Sequence, residues 1–172
     1  DGLFEQFPCD SIFAMHNAPG LPVGQFSATA GVVAAAGAFF DIQIDGVGAH
    51  GAHPENSVDP VVVGAQVVTA LQSIVSRNVK PRDAAVVSIT QFHAGDAYNV
   101  IPASAHLSGT VRTFSNSVMT HIQERMCVLA ESTAKGYGAT VSFDFRDIFH
   151  PVVNDETQSA FAASVCAGLV GA

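Results

Sequence analysis

Seven histidines stand against two tyrosines and no tryptophan in 172 residues, so the imidazoles are the side chains to account for first. Imidazole changes charge near neutral pH, ligates metals and moves protons. His16 ends the apolar run CDSIFAMH (residues 9–16), ahead of the turn signals Asn17, Pro19, Gly20 and Pro22, and His50 stands in the glycine-rich stretch GVGAHGAHPE (46–55). Strand ends and glycine-rich loops are where functional groups are displayed and where a ligand can approach the backbone. Gly48 and Gly51 beside His50 suit a sharp turn that presents the imidazole away from a sheet. His93, His106 and His150 fall near strand ends or on polar faces, and His121 lies within a helix, one position before the core residue Ile122, at the margin between core and solvent; solvation or an ordinary hydrogen bond accounts for each. A metal centre needs three or four His, Cys or carboxylate ligands, signalled locally by His-x-x-x-His on a helix or by Cys-x-x-Cys. Neither pattern occurs. His50 and His53 are three apart in a loop that fixes no geometry, and His53 reads as a structural or surface residue. No Gly-x-Ser-x-Gly elbow, phosphate-binding Gly-Lys-Ser/Thr loop or paired Cys/His nucleophile is present. GVGAHG follows a strand but lacks the spacing and the prompt helix of a dinucleotide loop.

The elements that must position these residues are legible from periodicity. The run at residues 9–16 is compatible with a buried strand. From 38 to 45, Phe40, Ile42 and Ile44 alternate with Asp41, Gln43 and Asp45, the period of a half-buried strand. Asp59-Pro60 opens a helix to about Asn78, with Val63, Val67, Ala70, Leu71, Ile74 and Val75 on one face and Val61, Val62 and Val68 widening it. Residues 84–92 read as a strand, and AYNVIP (97–102) as a turn. Alternation from 103 to 112 gives the clearest strand. Ser115 is expected to cap a helix to Gly136 whose face is Val118, Ile122, Met126, Leu129 and Thr133. Val141, Phe143 and Phe145 mark a last strand, and residues 161–170 an apolar terminal helix. The order strand, helix, strand, strand, helix, strand predicts an α+β, ferredoxin-like βαββαβ domain, a four-stranded antiparallel sheet with two helices on one face. Residues 1–36 and 151–172 fall outside that pattern and suit a second domain interrupted by residues 37–150.

Composition bounds the function. With 48% hydrophobic and 13% charged residues the chain cannot be intrinsically disordered. A net charge of -8 repels phosphate backbones and anionic headgroups, so neither nucleic acid nor a membrane is an expected partner. No apolar run approaches the roughly 18 residues that cross a bilayer. Cys9, Cys127 and Cys166 lie far apart and are odd in number, which makes a reducing cytoplasm the expected location. The chain starts without Met and stops straight after an apolar helical stretch, so it is expected to be a piece of a longer protein.

Five strings in one order carry a resemblance: FAMHNAPGLPVG (13–24), GVGAHGAHPENSVDP (46–60), ALQSIVSRNVKP (70–81), AGDAYNVIP (94–102) and LSGTVRTF (107–114). Together they resemble the amidohydrolase branch of the metal-dependent aminoacylase and carboxypeptidase family, which includes hippurate hydrolases, N-acyl-amino-acid amidohydrolases and plant auxin-conjugate hydrolases. The resemblance implies an α/β catalytic domain with two divalent metal ions (zinc, manganese or cobalt) and an inserted ferredoxin-like lid that makes a homodimer. By that resemblance His16 matches a metal ligand, and His50 the lid histidine that reaches the substrate carbonyl, often across the dimer interface. Asn99 and Arg112 match lid positions that bind substrate, and the implied substrate is a small N-acyl amino acid or similar conjugate.

The family's remaining metal ligands and its general-base Glu have no counterpart here, Val47 stands where a Lys is usual, and Thr29 where many relatives have Arg. The chain alone is therefore expected to hold no metal and to be inactive, as the lid portion of an amidohydrolase. The alternative is a dimerisation module without chemistry, since a broad apolar helix and polar-faced strands can join a partner unaided.

Overall fold

Alternation of apolar and polar side chains gives a strand one dry face, and two amphipathic helices are enough to cover it. The computed structural model describes residues 2–171 and follows this plan. In chain order it contains α1 (Leu3–Gln6), β1 (Gly31–Ala34), β2 (Ala36–Asp45), β3 (Ala49–His50), a 3-10 turn at Pro54–Asn56, α2 (Pro60–Ser73), β4 (Ala85–Ala94), β5 (Val100–Ile101), β6 (Ser104–Thr113), α3 (Asn116–Gly136), β7 (Thr140–Phe149), β8 (Val152–Asn154) and α4 (Glu156–Val170). They fall into two compact units, one taking in the residues up to Val33 and those from Val153 on, the other running from Ala34 to Val152.

The larger unit is the expected ferredoxin-like βαββαβ arrangement. Its sheet has the order β4-β6-β2-β7, with every neighbouring pair antiparallel. Phe40, Ile42 and Ile44 of β2 and Ala105, Leu107 and Val111 of β6 are buried in one cluster with Val63, Val67, Leu71 and Ile74 from the α2 segment and Ile122 and Met126 from α3. The Asp59 carboxylate caps α2 by accepting the amide hydrogens of Val61 and Val62, at 2.8 and 3.4 Å. The helix expected to Asn78 ends as an α-helix at Ser73 and closes through one π-turn over Ile74–Asn78.

Three expectations need correction. The buried line of α3 is Met119, Ile122, Met126, Ala130 and Ala134, while Val118, Leu129 and Thr133 lie at its margin. Alanine at 130 and 134 removes bulk, so the helix rolls its small side chains inward. Ser115 precedes α3 but caps no amide; its hydroxyl pairs with that of Ser117 at 2.9 Å. Residues 9–16 form no strand. A strand needs a hydrogen-bonding edge, none of the described strands pairs with this segment, and Ile12 and Phe13 stay 62% and 51% exposed.

In the smaller unit β1 pairs with β8. The Asn154 amide donates to the Thr29 carbonyl at 2.9 Å, and the Phe13 and Phe161 rings lie 5.8 Å apart. The terminal helix starts earlier than its apolar stretch, at the Asp155 cap, and Phe161, Val165 and Leu169 remain exposed. Among the described residues, no helix is long and apolar enough to cross a membrane.

The sheet's second face carries a polar network. Asp41 accepts hydrogen bonds from Ser108 at 2.6 Å and from His106 at 3.0 Å, and pairs with Arg146, which also pairs with Asp144. The Ser108 hydroxyl above all, then the Arg146 guanidinium and His106, hold the Asp41 carboxyl below its ordinary 3.8 against the opposing effect of burial. A carboxyl with a lowered folded pKa stabilises the fold above its unfolded pKa, and that contribution is lost as pH falls through the folded value. Asp41→Asn is therefore expected to cost about 1 kcal/mol near neutrality. Thermal melts of both proteins between pH 6 and 2 should show a constant gap above about pH 5 that closes below 3.8; a gap independent of pH would refute the assignment.

Candidate functional site

His50 is displayed by a two-strand clip that sequence periodicity is too short to reveal. The stretches expected as a loop (46–55) and a turn (97–102) pair as β3 and β5, antiparallel, with Ala49 opposite Ile101 and His50 opposite Val100. Gly46 donates to the Ala103 carbonyl at 2.9 Å and Gly51 to the Asn99 carbonyl at 2.7 Å. His53 donates to the His50 carbonyl at 2.8 Å and closes the tight turn expected beside His50, although neither Gly48 nor Gly51 has a positive φ. Gly48 is needed instead for close approach: a Cβ there would sit 2.9 Å from the Ile101 carbonyl oxygen. Asn99 is thus held against the His50 strand by the backbone itself.

The Ala52 amide donates to His50 Nδ1 at 3.1 Å. An atom that accepts a hydrogen bond carries no proton, so in the neutral ring the hydrogen resides on Nε2, which is a donor. His50 is exposed, which leaves that donor available to a ligand. The His53 ring lies 5.8 Å away, and its Nδ1 sits 3.4 Å from Glu55 on the surface. Residue-type reasoning missed Ala52, because its contribution is a backbone amide.

Arg112 lies on the four-stranded sheet, at the end away from this clip. Its partners across the strands are Gly37 on β2 and Val86 on β4, whereas the Asp45 end of β2 faces Ser104 and leads into the clip. Its Nη1 donates to the Thr110 hydroxyl at 2.7 Å and to the Val111 carbonyl at 3.0 Å. The guanidinium carbon lies 5.9 and 5.5 Å from the ring centroids of Phe39 and Phe149. Beside it a recess of about 550 Å³ opens between Val75, Val79 and Lys80, after α2, and Asp83 to Val86, around the start of β4. The structure brings His50 and Asn99 together and sets Arg112 apart from them.

His16, in the smaller unit, is exposed, and its Nδ1 lies 2.6 Å from the Asn17 carbonyl oxygen. A carbonyl oxygen only accepts, so Nδ1 carries the hydrogen and, in the neutral ring, Nε2 keeps its lone pair, the tautomer a metal-binding histidine uses. One such atom does not make a centre. Among the described residues no three His, Cys, Asp or Glu side chains lie together as a metal would require, so this chain's residues do not by themselves fit a two-metal group.

Known proteins resemble this chain over most of its length. N-acetylcysteine deacetylase of Bacillus subtilis is 42% identical over 159 residues, covering 92% of this chain and 42% of the relative. Hippurate hydrolase of Campylobacter jejuni is 34% identical over 171 residues, covering 99% of this chain and 45% of the relative. The chain therefore spans under half the length of each of these relatives. A crystal structure from Bacillus subtilis, described as a dinuclear metal-binding peptidase of the M20 family, superimposes with a TM-score of 0.69 at 35% identity, covering 90% of this chain and 37% of that one. The M20-type peptidase dimerisation domain matches residues 36–138, more than half of the chain and the bulk of the ferredoxin-like unit, and the chain belongs to that family.

Proposed function

We propose that the whole protein hydrolyses the amide bond of N-acyl amino acids and that this chain supplies its lid, residues 37–150, together with segments of the catalytic domain at 1–36 and 151–172. The exposed Phe4, Phe7, Phe13, Phe161 and Leu169 of the smaller unit support that division, since apolar surface of this kind is normally covered by more protein. In this reading the His50 Nε2–H donates to the scissile carbonyl oxygen as negative charge develops on it. Asn99 binds the substrate beside it, and the Arg112 guanidinium grips the carboxylate. His16 is the one metal ligand contributed by these residues to a pair of divalent ions, zinc, manganese or cobalt, which would supply activated water in the whole protein. Three free cysteines suit a cytoplasmic location.

The observation that carries the proposal is the distance between the two ends of the sheet. Gly37, opposite Arg112, and Asp45, beside the His50 clip, are eight residues apart on one strand; at about 3.3 Å per residue that is roughly 26 Å. No small N-acyl amino acid reaches both ends. His50 of one chain and Arg112 of a second therefore serve one substrate, which makes a homodimer part of the proposal. One flank suits the contact: β4 is an edge strand with no Lys, Arg, Asp or Glu, and α2 beside it exposes Val61 and Val62. The other edge, β7, carries Asp144, Arg146 and Asp147.

The test is amine release by the purified whole protein, supplied with zinc, manganese or cobalt, from N-acetylcysteine, hippurate and their methyl esters. Turnover of the free acids is expected. A folded, dimeric protein inert toward every N-acyl amino acid would leave only a dimerisation module.

A further inference from the structure

A guanidinium that grips one carboxylate must present a fixed fork, and on an exposed sheet face an arginine side chain samples many rotamers unless something holds it. Arg112 is held on three sides. Nη1 spends both its hydrogens within the chain, on the Thr110 hydroxyl at 2.7 Å and the Val111 carbonyl at 3.0 Å. The Thr110 hydroxyl in turn donates to the Ala38 carbonyl at 3.1 Å, so its lone pair is turned toward the guanidinium. Phe39 and Phe149 flank the group while remaining 44% and 49% exposed. Nε–H and the two Nη2 hydrogens have no partner among the described residues, and these are the edge that binds a carboxylate through two parallel hydrogen bonds.

Two backbone features create this clamp. Along β7 the register with β2 passes from Asp147 opposite Ala38 to Phe149 opposite Gly37, so Ile148 is an extra residue. A bulge of this kind re-aims the next side chain, here placing Phe149 beside Arg112 across Gly37. Gly37 then leaves the room: a Cβ there would fall 2.6 Å from Phe149 Cζ and 2.8 Å from Arg112 Nη1. Any side chain at 37 must displace the ring or the guanidinium.

We propose that Gly37, Thr110, Phe39 and Phe149 are positioning residues that hold Arg112 with its Nε and Nη2 edge open, and that selectivity for a free carboxylate depends on them. This rests on the reading that Arg112 binds the substrate carboxylate. The whole protein is assayed with an N-acyl amino acid and with its methyl ester, recording kcat and KM separately. Arg112→Lys keeps the charge and loses the fork, and is expected to raise KM for the acid about tenfold or more, with kcat within about twofold and the ester unaffected. Gly37→Ala, Thr110→Val and Phe149→Leu are expected to raise KM for the acid in the same way while leaving the ester unchanged, and Phe149→Tyr to restore it. If Gly37→Ala fails to fold, as a thermal melt would reveal, Thr110→Val and the Phe149 pair decide alone. Arg112→Lys acting on KM while the folded variants at 37, 110 and 149 do not would overturn the positioning inference and leave the carboxylate reading standing. An unchanged KM in Arg112→Lys would sink the carboxylate reading, and the inference with it.

Discussion

His50→Ala in the whole protein should lower kcat by about 10²- to 10³-fold, roughly 3 to 4 kcal/mol of transition-state stabilisation, and leave KM nearly unchanged. The direction follows from where the donor acts. A hydrogen bond to the carbonyl oxygen strengthens as that oxygen gains negative charge, so its loss is felt in the barrier more than in the bound substrate. The Ala52 amide, donating to Nδ1 at 3.1 Å, keeps the ring in the tautomer that donates from Nε2. His53, 5.8 Å from His50 and paired with Glu55 at the surface, is the internal control. His53→Ala should cost under about tenfold, or roughly 1.4 kcal/mol. Steady-state kinetics on both variants decide: equal losses, or a loss confined to KM for His50→Ala, would show that His50 is not the donor to the developing oxyanion.

Mixing two crippled proteins should restore activity. Where His50 and Arg112 of one chain serve different substrates, the His50→Ala and Arg112→Ala variants are each defective in every homodimer site. A dimer of one copy of each collects both defects in one site and leaves the other intact. Random exchange of equal amounts makes about half the dimers mixed, so recovery to about a quarter of the unmodified activity is expected. Recovery should follow the time course of subunit exchange and fail if the variants are mixed without it. No recovery after complete exchange, verified by mass-tagged subunits, would place both residues in one chain's site.

Most of the larger unit could be read from residues because its signals are long. The ten-residue strands β2, β6 and β7 alternate cleanly, and Asp59-Pro60 marks a helix start by a mechanism, the capping carboxylate. The errors fall where the signal is short or ambiguous. β3 and β5 are two residues each, too short for any period. On α3 the sets beginning at Val118 and Met119 fit a helical repeat equally well, and only packing against the sheet selects the one ending in Ala130 and Ala134. Residues 9–16 have the composition of a strand without the edge that would make them one. At the site, residue type and resemblance pointed to His50, Asn99, Arg112 and His16. The surroundings of Arg112 stayed hidden, since Phe149 reaches it only through the extra residue in β7, and a bulge leaves no mark in an alternating pattern.

The position of β2 at the centre of the sheet governs the order in which the chain can fold as it is synthesised. β2 is the first strand of the sheet to be made, yet its neighbours are β6 and β7, and their pairings join Asp45 to Ser104 and Gly37 to Phe149. Phe40, Ile42 and Ile44 therefore leave the ribosome long before any strand exists to cover their hydrogen-bonding edges. β4 and β6 adjoin across the short β5 segment and can zip first, after which β2 docks on β6 and β7 closes last. A nascent chain halted before β7 would leave one hydrogen-bonding edge of β2 open, making that interval the one in which shielding by a chaperone matters most.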